Sequence, residues 1–379
     1  MPARLFTTRT RRWASLIGTA TLLMVCSAAR ADIVVGQVTP LTGPQGVTGR
    51  AIHAGAQLYF DMVNAKGGVR GQRIELVVRD DAQKTEETVR LVKDLIGSRS
   101  PIALLGTVGT SNLEALVGDG VLARSHVTMV GAISGAATVA EADGMLVVKA
   151  RYRDEVDRLF ADLAHLGIRR VGLVYQDDGL GKDVLAGAAD AAKRRGVTLV
   201  GSAAYPRNTT DTSAAVARMS AAAPQAIFLG ATTAAAIDFV TRYRAGRGSA
   251  MLYGMSIIDP DVLLKKLGPD VARGYAFTTV LPLPTERNRA VVREYLALRA
   301  ASPDADLSAR SLEGFIAAKA LVWGLRHTPQ LTPEAVADTL AAAGSFDVGD
   351  FTLNFSGKGQ SGSRYVDFAM FGSDGRLVR

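Results

Sequence analysis

Apolar positions along the chain switch repeatedly between a period of two and a period near 3.6. Ile33-Val34-Val35 is a β-branched run too short for a helix and predicts a buried strand. Thr39-Pro40-Leu41-Thr42-Gly43-Pro44 follows, and its two prolines stop any regular element. From Arg50 to Asn64 the apolar residues Ile52, Ala56, Tyr59 and Met62/Val63 mark one buried face of a helix. Gly67-Gly68 ends it, because glycine accepts the left-handed cap. Ile74, Leu76 and Val78 then alternate into a second strand closed by Asp80-Asp81. This is a β-α-β module, and its right-handed crossover makes the two strands parallel. The loop after the first strand lies at the carboxyl edge of the sheet, where open α/β folds hold ligands.

The alternation continues. A helix over Lys84–Ile96 precedes strand Pro101–Leu105, loop Gly106–Asn112 and a helix reaching Arg124. Strands Val127–Val130 and Leu146–Lys149 complete a first round. A second round runs through helix Asp154–Leu166, strand Val171–Tyr175, helix Lys182–Arg195 and strand Val197–Val200. A helix after Asp211, strand Ala226–Leu229, a helix to Arg244, a strand near Leu252 and strand Gly274–Thr279 carry it to Leu281-Pro282-Leu283-Pro284. Helices Arg287–Ala300 and Ser311–Arg326 come next, then a shorter one capped by Thr332 with Pro333 in its first turn. The tail holds the strand-like runs Phe351–Leu353 and Tyr365–Phe368. Two α/β rounds of similar length predict two similar lobes, with Ala150 and Leu281–Pro284 as boundaries.

Composition refines this picture at the amino end. The 379 residues suffice for two domains. The formal charge of +8 includes Arg4, Arg9, Arg11, Arg12 and Arg30; without them it falls to +3. With no basic stripe interleaved with aromatics, nucleic acid is not an expected partner. The first 31 residues have the anatomy of an export signal: a basic start, an apolar stretch Trp13–Val25, and Ala29-Arg30-Ala31 before a cleavage point. That stretch is shorter than the roughly 20 residues of a membrane span. Arg11-Arg12 raises the twin-arginine route, although the following residues fit it poorly. Cys26, the sole cysteine, is either incidental or a lipid attachment site, for which Val25 is a poor neighbour.

The chemistry-bearing residues fit binding better than catalysis. His53, His126, His165 and His327 lack metal-ligand spacing, and neither a G-x-S-x-G elbow nor G-x-G-x-x-G is present. Gly179-Leu180-Gly181-Lys182 has the wrong spacing for a phosphate loop. Asp80-Asp81 and Asp177-Asp178 are acid pairs of the kind used in general acid/base work, yet each ends a strand before a helix, where carboxylates cap N-termini; capping is the preferred reading. Gly109-Thr110-Ser111-Asn112 places free N–H groups and hydroxyls at a helix start. That suits an anion, or simple capping by Ser111 or Asn112.

The run Pro40-Leu41-Thr42-Gly43-Pro44, Gly55-Ala56 in the helix, Val63–Gly71 (VNAKGGVRG) and the strand end Asp80-Asp81 together resemble the opening of the type I periplasmic substrate-binding proteins of ABC transporters. Within these they are most similar to the leucine/isoleucine/valine-binding branch. The resemblance spans essentially the whole mature chain, best over Ile33–Gly135 and Gln176–Lys182. It implies two Rossmann-like lobes with central parallel sheets joined by a three-stranded hinge. The lobes would comprise residues 32–150 with 281–349 and 151–280 with 350–379, the third crossing lying near Asp350. It implies a periplasmic protein that closes on a small solute and delivers it to ABC permease subunits, as a monomer, with no cofactor and no catalysis. A sensory module serving a separate membrane receptor or kinase is the alternative.

The same resemblance implies a ligand carboxylate at Thr110 and Ser111, with Ile133-Ser134-Gly135 adding backbone groups and a hydroxyl. Tyr152, Asp178, Thr232 and Asp259 would close over the ligand from the second lobe; Tyr152 could equally be a packing aromatic between lobes. The chain departs from that pattern in three places. Thr48 and Leu180 stand where branched-chain amino-acid binders carry aromatics, and no carboxylate stands near Ser256 to hold an α-ammonium, unless Asp259 substitutes. An acid without the amine therefore becomes a candidate ligand beside an amino acid.

Overall fold

The structure is a computed structural model, which describes residues 1–2, 31–357 and 361–378. The expected export signal, including Cys26, lies outside the described residues apart from its ends.

From Asp32 onward the chain forms one compact unit. Its first sheet contains β1 (Ile33–Thr39), β2 (Ile74–Asp80), β3 (Ala103–Leu105), β4 (Met129–Val130) and β5 (Met145–Leu146), in the order β2-β1-β3-β4-β5 and parallel throughout. The connecting helices are α1 (Gly46–Ala65), α2 (Thr85–Arg99), α3 (Thr110–Asp119) and the short α4 (Val121–Ser125) and α5 (Ala137–Ala140). The chain then passes through α6 (Tyr152–His165) into a second sheet.

That sheet is built from β6 (Arg170–Asp177), β7 (Thr198–Pro206), β8 (Ala226–Gly230), β9 (Met251–Gly254) and β10 (Ala276–Thr279), interleaved with α7 (Gly179–Arg195), α8 (Ser213–Ala222), α9 (Thr233–Ala245) and α10 (Pro260–Ala272). Helices α11 (Ala290–Ala301), α12 (Ser311–His327) and α13 (Pro333–Ala342) return to the first lobe. The hairpin β11 (Ser345–Asp347) and β12 (Thr352–Asn354) follows them. Finally β13 (Asp367–Phe371) and β14 (Leu377–Val378) add antiparallel strands beside β10, giving the order β14-β13-β10-β9-β8-β6-β7.

The expected architecture of two parallel-sheet lobes and a three-stranded hinge is what the chain adopts. The helix expected to reach Arg124 is broken at Gly120 into α3 and α4, and four further details differ. Phe351, Leu353 and Phe355 pack into the first lobe's core, so the third passage comes between Phe355 and Asp367 rather than near Asp350. Strand β7 runs to Pro206 instead of stopping at Val200, because its small and polar residues pair along the sheet edge without a strong apolar signal. Strand β5 ends at Leu146, short of Lys149. Helix α10 lies where no helix was expected.

The first lobe is fastened by α12 lying against α1. Phe315 meets Tyr59 and Tyr295 edge-on, with ring centroids 5.0 and 5.5 Å apart. These rings bury large apolar area in orientations their quadrupoles favour.

Candidate functional site

In both sheets the strand order reverses beside the first strand of the round, between β1 and β3 and between β6 and β8. At such switch points adjacent loops diverge and leave a crevice at the carboxyl edge. The two edges face each other across a cavity of about 390 Å³, including its mouth. The first lobe contributes Gln45 and Thr48 after β1, Gln83 after β2, Val108, Gly109 and Thr110 after β3, and Ile133 after β4. The second contributes Tyr152, Gln176, Asp178, Leu180 and Ile257. Arg310, just before α12, completes the lining. Another cavity, of about 420 Å³, lies along the hinge segment Thr278–Pro284 and also touches Arg310. It is not framed by the carboxyl edges of both sheets, so the site belongs to the former.

At the first lobe's edge, the Thr110 and Ser134 hydroxyls are 2.9 Å apart, and Ser134 Oγ accepts the Ala136 N–H (3.1 Å). Gly109, the N-cap of α3, supplies no side-chain cap, so the first N–H groups of that helix are open to an acceptor. Burial raises the Tyr152 phenol well above its usual range, against the Gly135 backbone and the Ser134 and Thr110 side chains that favour its ionised form.

At the second lobe's edge, Asp178 is the only carboxylate among the described lining residues. Its Oδ1 accepts the Gly181 N–H (3.3 Å) as the N-cap of α7. Its Oδ2 accepts Gln176 Nε2 (2.6 Å) and lies 3.5 Å from Arg207 Nε. Burial pushes its pKa up, opposed by those three partners.

Behind the cavity sits a buried charge cluster. Glu313 is 3.0 Å from Lys149 Nζ and 2.5 Å from Arg310 Nη1. Glu155 accepts the Ser256 N–H (2.9 Å) and hydroxyl (3.0 Å) and the Thr278 hydroxyl (2.5 Å). Arg310 Nη1 also donates to Ser256 O (3.2 Å), whereas its buried Nε has no acceptor.

Of the residues singled out from sequence, Thr110, Ile133, Tyr152 and Asp178 come together around the cavity, as do Thr48 and Leu180. Ser134 lies beneath, holding Thr110. Gly135 backs onto Tyr152, whose ring and N–H would meet any added Cβ at 2.7–2.8 Å. Ser111 instead joins the lobes, its Oγ accepting the Gly179 N–H at 3.2 Å.

Thr232 is one step removed, its N–H donating to the Tyr205 hydroxyl (3.0 Å), which donates to Gln176 (3.3 Å). Asp259 is not brought to the cavity. It caps α10, accepting the Asp261 and Val262 N–H groups, and its other oxygen accepts the Ser308 hydroxyl (2.5 Å). It is thus spent on structure. Contrary to the sequence expectation, a carboxylate does stand against Ser256: Glu155, brought there from α6 and already held by Ser256 and Thr278. Asp80 and Asp81 cap no helix: Asp80 pins Leu41 and Thr42, and Asp81 holds Gln83 and Thr88.

Gln45, Gln83, Val108, Gln176 and Arg310 also line the cavity and were not anticipated as site residues, while Ile257 comes from the expected second-lobe loop Ser256–Asp259. Gln176 stood at a strand end already in view; Arg310 carried no signal beyond preceding a long apolar helix.

The family profile described as "Periplasmic binding protein" matches residues 32–376. A relative from Brucella abortus (strain 2308), the Leu/Ile/Val-binding protein homolog 8, is 26% identical, the match covering 96% of this chain and 93% of the relative. Among solved structures, a substrate-binding periplasmic protein from Ralstonia solanacearum is 43% identical with a TM-score of 0.89, over 92% of this chain and 99% of that one. A Streptococcus pneumoniae branched-chain amino acid transporter substrate-binding protein, in complex with isoleucine, superposes with a TM-score of 0.81 over 91% of this chain and 97% of its own. At 16% identity that likeness speaks for the fold alone.

Proposed function

The chain belongs to the periplasmic binding protein family, in its leucine/isoleucine/valine-binding branch, and from that membership we propose that it captures a small carboxylate-bearing solute and delivers it to an ABC importer. The observation that carries this reading is the cavity itself, enclosed by the carboxyl-edge loops of both sheets with neither lobe able to form it alone. A ligand touching both halves stabilises the closed arrangement because only there are both engaged. The open N-terminus of α3 beside Thr110 receives the carboxylate. The mature protein begins at Asp32 after export to the periplasm and works as a monomer alongside permease subunits that supply the transport energy.

A thermal-shift screen of residues 32–379 against aliphatic and aromatic acids, amino acids and amides tests this. A true ligand at ~1,000 times Kd adds about 4 kcal/mol to the folded state, a large upward shift. A flat response across all classes removes the solute-binding reading for these chemistries. Loss of uptake of the identified ligand on deleting the chain tests the importer step.

A further inference from the structure

We propose that Arg310 is the specificity-determining contact of this cleft and that its ligand is an acid without an ammonium group: a plain, keto or hydroxy carboxylate rather than an amino acid. This rests on the solute-binding reading and follows from which polar groups of the cavity still lack partners.

Donors outnumber acceptors there. Arg310 is only 6% exposed and lines the cavity, yet its Nε–H has no acceptor. Its Nη1 is committed to Glu313 and Ser256, so the guanidinium is held in place with one donor edge unspent. The N-terminus of α3 is likewise uncapped by any side chain at Gly109. Asn112, the side chain in that turn best suited to cap it, is committed elsewhere, its Oδ1 to Gln83 and Arg207 and its Nδ2 to Thr88. Two donor edges in one small cavity call for a ligand rich in acceptors, and a buried guanidinium favours an anionic one.

An ammonium, by contrast, finds no free anion. Asp178 is engaged through both oxygens and answered by Arg207. Glu155 is bound by Ser256 and Thr278, and Glu313 by Lys149 and Arg310. Asp259 is held by its own helix and Ser308. Among the described residues lining this cavity, the buried side-chain acceptor that lacks a donor is the uncharged Gln83 Oε1. It suits a ligand hydroxyl and cannot neutralise a cation. A buried ammonium would stay uncompensated, and the cleft would reject it.

Calorimetric titration of the unaltered mature chain with isosteric sets tests the proposal: leucine, isocaproate, α-ketoisocaproate and isocaproamide; phenylalanine, hydrocinnamate and phenylpyruvate; glutamate, glutarate and α-ketoglutarate. In the set that fits the cavity, the des-amino or keto acid should bind at least tenfold tighter than its amino acid. Arg310→Lys keeps a charge for Glu313 but loses the Nε donor. It should lower the acid's affinity about tenfold and shrink the preference for acid over amide, which a purely structural role would leave unchanged. An amino acid binding as tightly as its des-amino partner overturns the proposal while leaving solute binding intact. So does an unchanged acid-to-amide preference in the variant. Absence of binding by every compound, with the protein folded, overturns both readings. The amino against des-amino comparison needs no variant, so it stands even if Arg310→Lys fails to fold.

Discussion

Glu313 holds two cations together in the interior, with its side chain 1% exposed and Lys149 and Arg310 as ion-pair partners. Burial alone would raise its pKa, but the Arg310 and Lys149 charges prevail and hold it below its ordinary 4.5. A carboxylate depressed on folding contributes stability that is fully present above the unfolded value and is lost as pH falls through the folded one. Unfolding free energy should therefore drop as the pH descends below about 4.5, and part of that drop should vanish in Glu313→Gln. At pH 7 the same variant leaves Lys149 and Arg310 without a facing carboxylate except Glu155, so it should cost about 3–5 kcal/mol. Urea titrations of both proteins from pH 7 downward check this; parallel profiles would refute it. None of this cluster was legible in the sequence. Lys149 and Glu313 are 164 positions apart, and a lone Lys, Arg or Glu flanking apolar runs reads as a solvated face. Thr110, Ile133, Tyr152 and Asp178 were legible through the resemblance to the binding-protein family; the apolar pattern placed their loops after strands but did not single the residues out. Asp259 misled for a local reason: Asp259-Pro260 is also a helix start, an N-cap followed by proline, and the cap uses its carboxylate.

Helix α12 approaches α1 more closely than any side chain would permit. A Cβ at Gly314 would sit 2.0 Å from Ile52 O, and one at Gly55 would sit 1.8 Å from Ser311 O. Both obstacles are backbone atoms, so no rotamer change relieves them. Gly314→Ala should therefore destabilise the protein by about 1–3 kcal/mol through forced separation of the helices. Alanine's better helix propensity acts in the opposite direction by about 1 kcal/mol, which makes the sign diagnostic. A variant as stable as the parent in urea unfolding would show that the helices part at no cost. At this scale the long elements were readable, since α1, α2 and α6 carry apolar faces and α12 is a long, mostly apolar run buried on nearly every side. The edge strand β7 was read too short because half of it faces solvent and its pairing, not its hydrophobicity, keeps it extended. That extra length matters, for it delivers Arg207, the residue after Pro206, to the other lobe.

Across the whole molecule the lobes are clasped on both rims of the cleft. On one rim Arg207 Nη2 donates to Gln83 O (2.7 Å) and Asn112 Oδ1 (2.5 Å), and Gly179 N–H reaches Ser111. On the other, Asp261 accepts the Ala309 N–H (2.9 Å) and Ser308 meets Asp259. Sequence pattern could announce two lobes but not which loops touch on closing, because these pairs join segments 48 to 124 positions apart. Such contacts bias the open–closed equilibrium before any ligand arrives, and apparent affinity scales with the fraction already competent. Arg207 lies outside the cavity lining, but it faces the lining carboxylate Asp178 at 3.5 Å, so its removal shifts that equilibrium and also leaves Asp178 without its cation; scattering without ligand separates the first effect from the second. Arg207→Met deletes two charge-assisted hydrogen bonds, offset by easier solvation of a partly exposed side chain. The net loss should be about 1–2 kcal/mol, or roughly 5–30-fold in ligand Kd. Small-angle scattering should show a larger radius of gyration for the unliganded variant, and saturating ligand should restore the compact value. Equal radii without ligand and an unchanged Kd would mean that the clasp contributes nothing to closure, leaving the ligand and the second rim to hold the lobes together.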